Sequence, residues 1–179
     1  MFKRARVATT FGSLVLVANV AFGQDKLEPV INMFFNGMER HELSLVANAS
    51  FRCSALYQMM GAILQRDTDD KQTVDGYLNA GSELLMIGMY TNMALFKHRG
   101  NELEQGDAQN RALGQLDMFM KAYSERMTQN QASFGEMFGS DELMKSDIEA
   151  CQMISQIVLS EPWGETIVKN DWTFWDENL

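Results

Sequence analysis

Between Pro29 and Pro162 the chain contains no proline, so nothing in that interval forces a break and long helices can run through it. Apolar residues there recur at alternating steps of three and four, the spacing that lines up side chains on one helix face. Leu43, Val46, Ser50, Cys53, Tyr57, Met60 and Leu64 form one stripe. Leu113, Leu116, Met120, Tyr123 and Met127 form a second, and Met144, Ile148, Cys151, Ser155 and Val158 a third. Helix-ending and helix-starting residues separate them. The run from Arg66 to Asp70 offers N-caps, Gly100 offers a stop, and Asn101 with Glu104 resembles a capping box. Gly135 and Gly139 end the third long stretch, and Ser140 is placed to cap the fourth, with Asp141 and Glu142 in its first turn. The pattern predicts helices over 38–64, 71–98, 102–133 and 140–160, a leader over 24–37 and a tail over 162–179. Four amphipathic helices with short loops pack most economically as an all-α, antiparallel, up-down-up-down four-helix bundle, here with an aromatic C-terminal tail.

The first 23 residues read differently. Lys3, Arg4 and Arg6 precede a short apolar run that includes Val7, Phe11, Leu14 to Val17, Val20 and Phe22. Ala21-Phe22-Gly23 before Gln24 puts small residues where a signal peptidase reads them, so residues 1–23 are expected to be a secretory signal peptide. The rival is an uncleaved anchor, which needs about 20 predominantly apolar residues, whereas Thr9, Thr10, Ser13 and Asn19 interrupt this run. No cysteine stands at the cleavage site to carry a lipid anchor. The chain is therefore expected to be exported, to the periplasm of a Gram-negative bacterium or otherwise secreted. Once the signal is cut, no stable membrane anchor remains.

Cleavage leaves 156 of the 179 residues, enough for one domain with a sizeable core, and no linker or internal repeat divides them. The signal holds three of the 15 basic residues and none of the 24 acids, so the mature charge is −12 against −9 for the whole chain. Such a surface repels nucleic acid and anionic lipid. In an oxidising compartment the two cysteines, Cys53 and Cys151, read as a disulfide. Both lie on inward stripes, near the middle of the first and last helices, which the bundle would place as antiparallel neighbours. Chain-entropy reasoning gives such a bridge about 4–5 kcal/mol.

Motifs for chemistry fail on spacing. Asp67 to Gln72 begins like a calcium loop but has Lys71 at its fifth position, Gln72 at the turn position and Leu78 at the twelfth. HExxH, GxSxG, CxxC, CxxCH and phosphate-cradling glycine loops are absent from the sequence. His41 and His98 could meet across an antiparallel hairpin, but two exposed residues explain them as well. Met86, Met89 and Met93 share a face that could hold copper(I) or an adaptable apolar partner, and core packing is the plainer reading. No enzyme activity, cofactor or metal is expected.

The second long helix is the most informative. Leu84 to Phe96 reads LLMIGMYTNMALF, with only Thr91 and Asn92 clearly polar, so apolar groups surround it. A simple bundle leaves one side of each helix open, and something should cover that side. The candidates are the tail with Trp163, Trp172, Phe174 and Trp175, the leader with Phe34 and Phe35, a second copy, or a protein partner. Gly81 and Gly88, seven apart, would let a neighbouring helix approach closely. The expected function is non-catalytic: protein binding or self-association through Met86, Met89, Tyr90, Met93, Phe96 and the tail tryptophans. The alternative is a carrier or sensor holding a small apolar ligand between helices.

Overall fold

A computed structural model describes residues 28–40, 42–138 and 140–158, which form five helices and no strand. They are α1 (Val30–Glu39), α2 (Leu43–Asp67), α3 (Lys71–His98), α4 (Gln105–Phe134) and α5 (Glu142–Val158). The expected signal segment 1–23 and tail 162–179 lie outside the described residues. Among those residues, no helix is long and apolar enough to cross a membrane.

The leader holds a helix of its own. α1 starts directly after Pro29, whose carbonyl accepts the N–H groups of Asn32 and Met33. Its buried face, Val30, Phe34 and Gly37, packs on α2 and α5. The helix expected over 38–64 therefore begins later, at Leu43. The reason is local. The Glu42 N–H turns back to the Gly37 carbonyl, and Gly37 sits so close to Val46 that a Cβ there would fall 2.9 Å from its methyl.

α2 is central and touches every other helix. Its face Leu43, Val46, Ser50, Cys53 and Tyr57 is buried, and so are its neighbours Ala47, Phe51 and Leu56, because packing comes from several sides. α3 runs antiparallel to it: Gly88 lies over Phe51, Gly81 over Ser54 and Gln58, and Leu78 over Gly61. The close approach expected at the two glycines is present. A Cβ on Gly88 would meet the Phe51 ring at 2.5 Å, and the Ser54 hydroxyl donates to the Gly81 carbonyl at 2.6 Å.

Two helix starts differ from the sequence pattern. α4 begins at Gln105 after Glu104, and Asn101 donates to the Arg99 carbonyl, so the capping box does not form. Asp141, and not Ser140, caps α5: its Oδ1 accepts the N–H groups of Leu143 and Met144, while Ser140 bonds Glu136. A carboxylate accepts two N–H groups at once, and Arg126 holds this one in place. Gly135 ends α4 at φ +79°, the left-handed conformation that favours glycine.

Cys53 and Cys151 are joined, with Cα atoms 5.1 Å apart and no exposure. The helices that carry them do not meet as antiparallel neighbours. Arg52 pairs with Asp147, Cys53 with Cys151 and Tyr57 with Ser155, so the contacts advance together along both chains. α5 crosses α2 briefly because it also packs on α1, a helix the periodicity did not place.

The glycine contact gives a direct test. Gly88→Ala is expected to lower the unfolding free energy by about 1–3 kcal/mol through overpacking against Phe51. Gly114→Ala, with nothing within 4 Å of the new methyl, should leave it unchanged or raise it by up to about 1 kcal/mol. Urea denaturation of the two variants checks both.

Candidate functional site

Chemistry-bearing side chains concentrate first in a buried cluster that sequence periodicity did not flag. Arg52, on α2, is 1% exposed and forms an ion pair with Asp147 of α5, which is 0% exposed. The second carboxylate oxygen of Asp147 accepts the Val30 N–H at 3.0 Å, and the first also accepts the Tyr123 hydroxyl at 2.6 Å. The guanidinium reaches Tyr123 Oη at 3.4 Å through Nε, and another of its nitrogens donates to the Glu28 carbonyl. Burial pushes the Tyr123 hydroxyl well above its ordinary value, outweighing the opposing pull of Arg52, so it stays a donor. Burial alone would lower the Arg52 pKa, but Tyr123 and Asp147 raise it, and the guanidinium stays charged. Every partner here is engaged, and the two recesses described below are lined by none of these residues except through neighbours. The cluster fastens helices; it has no face on which a substrate could sit.

A second cluster caps α5. Asp141 accepts Arg126 as a bidentate pair, Asn130 Nδ2 at 2.9 Å, and the two N–H groups already described. Burial alone would raise its pKa, but the hydrogen bonds from Arg126, Asn130 and the Met144 N–H outweigh that and hold it down at about 2.

The open site is elsewhere. A groove of about 530 Å³ lies between α2 and α4. Its walls are Met59, Ala62 and Ile63 from α2, Met120, Met127 and Ala132 from α4, and Met137 from the following turn. Ser124, Thr128, Gln131 and Arg66 add polar atoms. Thioethers on flexible stems make an adaptable apolar lining. The volume and the mix of apolar walls with a few polar groups are those of small-molecule sites. A smaller recess of about 330 Å³ between α2, α3 and α5 is lined by Tyr57, Tyr77, Gln152 and Ser155, with the two tyrosine rings edge to face at 5.5 Å.

The residues singled out on α3 are not gathered into one open face. Met89 is buried, Met86 is 46% exposed, and Tyr90 and Met93 are half-buried. Phe96 is half-buried under the Arg111 guanidinium, 5.1 Å from the ring centre. Trp163, Trp172 and Trp175 lie outside the described residues, as does His41, so the two histidines are not seen together. Among the described residues no group of three or more His, Cys, Asp or Glu side chains is arranged to hold a metal ion. The groove was missed because its methionines sit on two helices, and one-dimensional spacing does not say which faces meet. Comparison with protein-family models, curated proteins and solved structures finds no match to this chain.

Two outcomes follow from the buried groups. Asp147→Ala strands the Arg52 charge and is expected to cost about 3–5 kcal/mol of stability, and Arg52→Met with Asp147→Leu should recover part of that loss. Chemical denaturation measures both. For Asp141 the folded pKa lies below the unfolded one, so its contribution is complete above about pH 4 and is lost as pH falls through about 2. The contribution is about 2 kcal/mol. Asp141→Asn should flatten that part of the stability–pH curve between pH 5 and 2, beyond any uniform loss.

Proposed function

We propose that this chain is an exported, non-catalytic helical protein that works by binding, and that its site is the groove between α2 and α4. In this reading α2 to α5 make a four-helix bundle in which α3 runs against α2 and α5 against α4, supported by Gly88 over Phe51, and by Tyr123 with Asp147 followed by Arg126 with Asp141. The observation that carries the reading is the lining of the groove, where Met59, Met120, Met137 and Ile63 stay accessible between two helices over the buried Met127. Apolar surface held open in this way favours an apolar occupant, since burying it gains roughly 25 cal/mol per Å². The hydroxyls of the groove are those of Ser124 and Thr128, and Thr128 donates within its own helix to the Ser124 carbonyl. The binding mode supported best is that of a carrier or sensor for a small apolar ligand, ahead of protein association through α3, whose methionines are partly buried.

A neutral fluorescent apolar probe such as N-phenyl-1-naphthylamine tests this. The purified protein is expected to enhance its emission saturably. Ala132→Trp, which fills the groove from an exposed helical position, should weaken binding at least tenfold with unchanged helicity. Equal binding by that variant, or no binding by the parent, would reject the groove as the site.

A further inference from the structure

The lining of the groove is apolar except for hydroxyl and amide groups on α4 and one charged side chain, Arg66, in the last turn of α2. Among the described residues Arg66 makes no hydrogen bond or ion pair, unlike Arg52 and Arg126, which are saturated by carboxylates. The carbonyl end of α2 carries a partial charge of roughly half a unit, spread over several groups, and does not neutralise a full guanidinium charge. An unpaired cation beside a thioether-lined trough is the arrangement that recognises a molecule with an apolar body and an anionic end.

Resting on the binding reading above, we infer that the groove takes a dissolved single-chain amphiphile with an anionic head, its alkyl chain along Met59, Met120 and Met127 and its head on Arg66. A guanidinium pairs with a carboxylate through two parallel N–H bonds, which fixes orientation as well as charge. From Met59 to Arg66 the α2 wall is roughly 10 Å long at 1.5 Å per residue, room for one medium-length chain and not for a two-chain lipid. The acidic character of the whole protein does not oppose this. Its field is screened beyond about 8 Å at physiological salt, whereas Arg66 acts at contact. The same acidity disfavours an anionic bilayer, which would meet many carboxylates at once, so the occupant is a free molecule.

Displacement of N-phenyl-1-naphthylamine by decanoate and by decanol, both below their micellar or solubility limits, tests the inference. Decanoate is expected to compete about five-fold more strongly than decanol at low salt, with the advantage shrinking as salt rises. Arg66→Gln should abolish that preference while leaving decanol unchanged, and Arg66→Lys should keep part of it; circular dichroism checks that both variants are folded. Equal competition by the two compounds, or a decanoate preference that survives Arg66→Gln, would overturn the anionic-head assignment while the groove still binds the probe. Failure of the probe itself to bind would instead overturn the binding reading and this inference with it.

Discussion

The buried pairing of Arg52 with Asp147 is the constraint on which the arrangement of helices depends. Two charges taken out of water lose solvation that their mutual attraction does not by itself restore, so such a pair persists only where further hydrogen bonds complete it. Those bonds come from four separate places in the chain: the Glu28 carbonyl and Val30 N–H before and in α1, Tyr123 in α4, and the pair itself in α2 and α5. A helix shifted by one residue would leave a charge or an N–H stranded, at a cost of several kcal/mol. The pair therefore selects one register for four helices at once, something the surrounding Leu, Val and Ala contacts, being non-directional, do much less sharply. The Cys53–Cys151 bridge sits next to Arg52 along α2 and a turn beyond Asp147 along α5, so the covalent and ionic links act at the same crossing.

Much of the helical plan was legible in residue spacing. Cys53, Tyr123, Met127, Met144 and Val158 fall on the expected stripes and are buried, and α3 occupies 71–98. The misreadings are equally specific. Leu113 belongs to a three-four stripe yet is 43% exposed, because the packed face of α4 at that end runs through Ala108, Ala112 and Leu116. Asp147 occupies an inward position of α5 where Ile148 was expected, because a spacing rule that counts only apolar residues skips a carboxylate whose partners lie 24 to 117 residues away. The segment after Pro29 reads only as a leader on one end of the bundle, whereas it forms a helix that packs on both α2 and α5. The larger misreadings share a cause, a long-range partner, whereas the shifted helix starts at Leu43 and Gln105 are local.

The helix that seemed to need covering is packed on more than one side. Gly81 and Gly88 let α2 approach closely, and α4 and α5 also touch α3; Leu84, Ile87, Met89, Thr91 and Ala94 are buried, while Leu85, Tyr90 and Leu95 remain half-covered. The larger open apolar surface lies on the far side of α2, where α4 has no glycine facing it and longer side chains hold the two helices apart. Methionine suits that separation: it reaches into the gap without filling it uniquely, and the groove is the result.

The depth of the disulfide has a consequence for how long the bond lasts. Thiol–disulfide exchange needs a dissolved thiolate to approach one sulfur in line, and neither Cys53 nor Cys151 offers any surface to it. Reduction must wait for α5 to lift from α2, which means breaking the ion pair at the same crossing. The half-life of the bridge therefore scales with how seldom the open form is populated, and at high reductant it reaches a floor set by the opening rate itself. In such a molecule the cross-link behaves as a clock on unfolding: a chain found reduced is one that has been open since it last folded.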